Sequence, residues 1–203
     1  GQWSTSNGSG GFTSPTSNPN AAYIAVQADG DSLVELVWTI TNGNCDTLRF
    51  TQDLKVNGLP QGDFPTNVPD ICEGDTSIPL GAIVTRGGGN WQATGPGFFI
   101  DPADPNTQFV AGNVGRDTTF FLVWKIGNGV CDSISISKPI TIFATPEGVL
   151  LSVPDSICAN TDINISAAAI IGEGFWQTTG NIGTITNPTA LSTTFNPGVN
   201  PPA

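Results

Sequence analysis

The sequence of 203 residues has no histidine and no methionine, a single tyrosine, and only six lysines and arginines. Each shortage excludes something. Without histidine the usual general base and the commonest metal ligand are missing, and neither a Ser-His-Asp nor a Cys-His centre can be built. Six cations against 17 acids give a net charge of −11. Such a chain cannot displace counterions from phosphates, so neither nucleic acid nor an anionic membrane surface is an expected partner. No run of 18 apolar residues occurs, so no membrane insertion is expected. No basic stretch leads into an apolar one at the start, so no signal peptide is expected.

Turn formers are abundant instead, with 25 glycines and 16 prolines. That composition disfavours long helices and suits short strands joined by many turns. Apolar residues make up 38%, enough for small cores but lean for a single large one.

The chain repeats itself. Val37–Cys45 reads VWTITNGNC and Val123–Cys131 reads VWKIGNGVC, so Trp38/Trp124 and Cys45/Cys131 are each 86 apart (124 − 38, 131 − 45). Cys72 and Cys158 are 86 apart as well (158 − 72). Trp3, Trp91 and Trp176 open three similar phrases spaced by 88 and 85 (91 − 3, 176 − 91). Small domains in tandem fit this period better than a solenoid. The expected domains are residues 1–61, a first repeat lacking its beginning; 62–147, a complete second repeat; and 148–203, a third lacking its end. Pro- and Gly-rich stretches, Gly58–Pro69 and Ala144–Pro154, read as linkers. The phase running off both ends reads as a window on a longer array.

Within the second repeat Phe120, Leu122, Trp124 and Ile126 alternate with Phe121, Val123 and Lys125, which predicts a half-buried strand. Val34, Leu36, Trp38 and Ile40 are the matching core set in the first. Asn-Gly follows both strands and predicts a tight hairpin. Pro139 in the return strand implies an edge or a bulge. Strands are also predicted over 76–85, 90–94 and 107–111. Six or seven short strands in some 86 residues predict an all-β fold of tandem β-sandwich repeats, strung by short linkers into an extended rod.

Four regularly placed cysteines read as disulfides in an oxidising compartment. Three arrangements compete. Cys72 with Cys131 closes one repeat, is the leading expectation, and leaves Cys45 and Cys158 unpaired within this stretch. Cys45 with Cys72 and Cys131 with Cys158 would bridge neighbours. Bridges outside the stretch, or free thiols, are the third. No CxxC pair exists, so no metal or other cofactor is expected. The first Trp of each repeat is expected in the core; the alternative is an exposed sugar-binding platform of Trp3, Trp91 and Trp176. Acidic groups at Asp29/Asp31, Glu73/Asp75 and Asp101/Asp104 read as solvated turns, and the run Gly87–Gly89 as a flexible one.

The order of these motifs, Cys-x-Gly or Cys-x-x before a Thr/Ile strand, a Trp strand, then W-x-I-x-N-G-x-C, resembles the PKD-like and immunoglobulin-like repeats of Bacteroidota surface adhesins, including those associated with gliding motility and type IX secretion. Cys72-Glu73-Gly74 matches the first motif; Cys158-Ala159-Asn160 departs from it, with a residue that also tolerates positive φ. The resemblance implies an immunoglobulin-like (PKD-like) sandwich, export to the cell surface, disulfides, and a stalk or fibre role. It also implies O-glycans at Asp-Ser/Thr motifs, whose hydroxyl residues here are Ser32, Thr47, Thr118, Ser133 and Ser156.

The expected function is therefore a non-catalytic stalk or fibre segment of a large secreted bacterial adhesin. Its partners would be neighbouring repeats of the same chain, and surface glycans or other cells. Two alternatives stand beside it: a carbohydrate-binding or spacer module of a secreted enzyme, and a subunit of a polymeric surface filament.

Overall fold

The computed structural model describes residues 1–180 and 182–198. Seventeen strands occur among them, with one 3-10 turn and no α-helix. In chain order the first nine are β1 (Gln2–Thr5), β2 (Gly11–Phe12), β3 (Tyr23–Ile24), β4 (Ser32–Ile40), β5 (Leu48–Val56), β6 (Gln61–Asp63), β7 (Ile71–Cys72), β8 (Ile83–Arg86) and β9 (Gly88–Ala93). They are followed by β10 (Gly97–Phe99), β11 (Phe109–Ala111), β12 (Thr118–Gly127) and β13 (Ile134–Phe143). The last four are β14 (Glu147–Ser152), β15 (Ile163–Ile171), β16 (Thr184–Ile185) and β17 (Ser192–Asn196). The chain is all-β, as its composition predicts.

Two compact units form. The first comprises Gly1–Pro69, Thr76–Val110 and Phe120–Ile140; the second comprises Asp70–Asp75, Ala111–Thr119 and Thr141–Ala203. In the first unit β4 lies between β1 and β5, and β12 between β9 and β13. Short pairs β2–β3, β6–β8 and β10–β11 complete it. The predicted alternation on β12 holds: Phe120, Leu122, Trp124 and Ile126 are at most 5% exposed, whereas Phe121 is 48% exposed. Aromatic rings bridge the layers, Phe64 on Trp91 at 4.8 Å, Trp91 on Phe99 at 5.6 Å, Phe99 on Phe109 at 5.1 Å and Phe109 on Phe120 at 5.8 Å. Burying rings of this size supplies most of the apolar stabilisation that a small β core can collect.

On β4 the expected core set is only partly covered. Val34 is buried, Leu36 and Trp38 are half-buried, Ile40 is 38% exposed, and Val37 from the other face is buried instead. The reason is the size of the layer near it: β2 and β3 have two residues each against the nine of β4.

In the second unit β15 lies between β14 and β17, with β16 beyond β17. The end of β13 pairs in parallel with β7, Ile142 with Ile71 and Phe143 with Cys72. Ile142, Ala144, Ala111 and Ile165 are its buried apolar residues.

Several expectations need correction. The stretch 76–85 is not one strand: Thr76 makes an isolated bridge to Val110, and pairing resumes only at β8. Pro79 lacks an amide to donate, and Gly81 has φ 62, so the strand is interrupted. The equivalent stretch of the third repeat has Ile165 and Ala167 there and forms the unbroken nine-residue β15. Neither linker is a spacer. Gly58–Pro69 contains β6 and the buried Phe64 and Val68, and Ala144–Pro154 contains β14. Glycine and proline masked the apolar positions between them. The Asn-Gly turns sit inside longer loops, since Ile40 pairs with Leu48 across residues 41–47. The run Gly87–Gly89 is not flexible: Gly88 and Gly89 belong to β9, and Gly89 carries the Trp124 indole where any Cβ would collide.

Candidate functional site: tryptophan locks and a carboxylate junction

The three first tryptophans are held alike. The Trp91 amide donates to the Pro102 carbonyl (2.8 Å) and its indole N–H to the Asp104 carbonyl (3.0 Å). Trp3 does the same to Thr16 (3.0 Å) and Pro19 (3.2 Å), and Trp176 to Pro188 (2.7 Å) and Ala190 (2.9 Å). Each Trp thus pins the loop that follows it by two donors, one from the backbone and one from the ring. The platform alternative fails at Trp91, which is 2% exposed; Trp3 and Trp176 are half-buried with their ring donors already used. A sugar platform needs an open ring face, and packing in the core removes it.

First and second tryptophans are cross-strand partners, Trp3 opposite Trp38 and Trp91 opposite Trp124. Their rings meet at 5.0 Å and 49° in one pair and 4.8 Å and 45° in the other. In each case the glycine two residues before the first Trp, Gly1 or Gly89, makes room for the partner's indole. The Trp124 indole N–H is buried without an acceptor among the described residues.

The acidic turns are not merely solvated. Asp31 Oδ1 accepts from the Gly58 amide (3.1 Å) and from Asn128 Nδ2 (2.9 Å), and its Oδ2 meets Arg86 Nε at 2.7 Å. These bonds, the Gly58 amide first, hold its carboxyl below the usual carboxylate range. Asp31 adopts φ 65, a conformation that aspartate tolerates better than most residues. The arrangement recurs one period later: Asp117 Oδ1 accepts from the Ala144 amide at 3.0 Å (117 − 31 = 86, 144 − 58 = 86).

Two other carboxylates act as caps. Glu73 accepts the amides of Thr145 (Oε1, 3.0 Å) and Val114 (Oε2, 3.0 Å). Led by the Thr145 hydroxyl, these bonds pull its pKa down from 4.5 to about 2. Asp29, only 3% exposed, accepts from the Ser9, Gly10 and Val26 amides and from the Tyr23 hydroxyl. The Ser9 amide is the largest cause of its lowered pKa. The period could have flagged Asp31, which recurs as Asp117. Glu73 and Asp29 do not recur, with Ala159 and Gly115 at those places, so spacing alone gave no signal.

All four cysteines are free thiols in this structure. The expected Cys72–Cys131 bridge is not made. Cys72 pairs with Phe143, the last residue of β13, whereas Cys131 precedes Ile134, the first. A strand of that length rises ~3.3 Å per residue, and a disulfide requires Cα atoms within about 7 Å. The Cys131 thiol instead donates to the Asn57 carbonyl (3.3 Å). Asn160 takes φ 62 where Gly74 has φ 83, so the turn after the Cys survives the substitution. Of the candidate glycan acceptors, Ser32, Thr47, Ser133 and Ser156 are exposed. Thr118 is half-buried, with its hydroxyl donated to the Arg116 carbonyl (2.8 Å).

No family model and no curated protein matches the chain. Among solved structures it aligns with extracellular cadherin domains 1–4 of protocadherin gamma B7 at 11% identity and a TM-score of 0.35, covering 98% of this chain. It spans 59% of the length of that protein fragment. Mouse cadherin-23 EC22–24 aligns at 12% identity and a TM-score of 0.39, over 98% of this chain and 76% of the other. The insect immune protein hemolin aligns at 12% identity and a TM-score of 0.35, over 97% and 60%. Among the described residues no helix is long and apolar enough to cross a membrane.

Proposed function

We propose that this chain is a non-catalytic structural segment, a stalk or fibre part of a secreted bacterial surface adhesin, built from repeats at 1–61, 62–147 and 148–203. One observation carries the reading: the recurrent tryptophans and aspartates spend their polar groups on the chain's own backbone. In all three repeats the first Trp spends its ring donor on the loop that follows. In two of them an aspartate caps the amide that begins the next stretch. A segment whose recurrent polar groups hold backbone to backbone is suited to bearing load. The exposed Asp-Ser and Asp-Thr hydroxyls at Ser32, Thr47, Ser133 and Ser156 are open to O-glycans, which would shield such a segment outside the cell.

Pulling single molecules by their two ends tests this. The second repeat, 86 residues long by its period (131 − 45), should resist as one event and release roughly 300 Å of chain, at ~3.5 Å per residue. Gradual extension without such an event would end the load-bearing reading.

A further inference from the structure

The Asn-Gly-x-Cys motif does more than turn the chain. In the first unit Asn128 Nδ2 donates both its hydrogens, one to Asp31 Oδ1 (2.9 Å) and one to the Gly58 carbonyl (2.8 Å). Gly129, at φ 60, lies against the Asn57 side chain, so that a Cβ there would crowd it at 2.8 Å. The Cys131 thiol reaches the Asn57 carbonyl. Three of the four motif residues therefore grip one short stretch, Asn57–Gly58, and the aspartate that caps it. That stretch leads out of β5 of the first repeat, while the motif ends β12 of the second. Arg86, also of the second repeat, closes the fourth side on Asp31.

We propose that the Asn-Gly-x-Cys turn is an inter-repeat clasp, whose partner is the aspartate-capped corner at the exit of the preceding repeat. This rests on the repeat reading above and gives it a joint. Each residue type has a reason. Asn is the short side chain with two donors and no charge, so it can serve a carboxylate and a carbonyl together. Gly is needed for positive φ and for the close approach of Asn57. Cys is small and supplies a weak donor.

The first repeat carries the same turn. Cys45 N–H donates to the Asn42 carbonyl at 3.0 Å, as Cys131 N–H does to Asn128 at 3.1 Å, and Gly43 has φ 56. Residues 41–47 are all exposed. Asn42 is thus the same clasp with no corner seated on it among the described residues. The kind of surface it fits is the one that Asp117 and Ala144 already form (3.0 Å).

The test compares Asn128→Ala with Asn42→Ala in the full chain by nitrogen-15 relaxation. Rotational correlation times are read separately on β4 and on β12. In the wild type the two strands should report one value, because the clasp makes the first two repeats tumble together. Asn128→Ala should split them, and Asn128→Asp, which sets a carboxylate against Asp31, should split them at least as far. Asn42→Ala should leave them equal. Unchanged amide shifts of the buried Leu122 and Ile126 confirm that each variant is folded. Two unequal values in the wild type, no split in Asn128→Ala, or the same split in Asn42→Ala would each overturn the clasp. None of these outcomes bears on the pulling result, which depends on the strength of a single repeat.

Discussion

At the scale of single residues, the two tryptophans of the second repeat look interchangeable in sequence but are not in chemistry. Both rings are nearly inaccessible, at 2% for Trp91 and 0% for Trp124. Trp91 has an acceptor for its ring donor and Trp124 has none. Replacing either by Phe removes similar volume and leaves a comparable void. Trp91→Phe additionally loses the ring bond to the Asp104 carbonyl, which keeps the Thr107 amide (3.1 Å) as its other donor, a net loss of about 0.5–1.5 kcal/mol. Trp124→Phe removes a donor that was already unsatisfied, which works in the variant's favour. We therefore expect Trp91→Phe to be the more destabilising by about 0.5–1.5 kcal/mol in urea unfolding. Equal midpoints for the two variants would mean that the lock at Asp104 contributes nothing. Sequence alone reached the core placement of Trp124 from the period-two pattern around it, and the expectation of a core position for the first Trp of each repeat holds at Trp91. It could not reach the difference between them, because an indole acceptor lies 13 residues away in a loop.

At the scale of elements, legibility followed side-chain pattern and failed where glycine and proline dominated. Strand β12 was readable because four large apolar residues alternate with polar or exposed ones. Strand β14 and β6 were hidden in stretches that composition assigns to linkers. The junction at Asp31 was hidden for a different reason, since its partners come from positions 58, 86 and 128 and only folding assembles them. The ion pair with Arg86 is partly exposed, at 28% and 46% for the two side chains, and such pairs contribute little by themselves, about 0–1 kcal/mol. The charge-assisted bond to the Gly58 amide matters more locally. Asp31→Ala should speed hydrogen exchange at the Gly58 amide about tenfold, the effect of losing one such bond. Amides in the middle of β12 should exchange as before. Equal acceleration along β12 would show instead that the variant loosens the whole unit and that the aspartate is not a local cap.

At the scale of the whole molecule, acid is the condition that reaches every one of these caps together. Glu73 has its pKa lowered to about 2 in the fold, and Asp29 and Asp31 are lowered as well. The unfolded chain offers no such amides, so each group there returns to its ordinary value. A depressed folded pKa means that the folded state binds fewer protons, and its stabilisation is complete above the ordinary value and lost as pH falls through the folded one. For Glu73 that window runs from 4.5 down to about 2. Repulsion among a net charge of −11 acts the other way, since protonation relieves it. That repulsion is spread over exposed side chains and screened beyond about 8–10 Å at ordinary salt, whereas the Glu73 bonds are direct contacts of 3.0 Å. The caps should therefore win, and the melting temperature should fall as pH drops from 4.5 to 2. Glu73→Gln keeps the shape but cannot bear the charge. Its melting temperature should lie below the wild type at pH 7, decline less steeply in acid, and converge on the wild-type curve as pH falls to about 2 and below, where Glu73 of the folded wild type takes up its proton. Two parallel curves across that range would show that the fold does not depend on the ionised Glu73, and that the acid sensitivity lies in other groups.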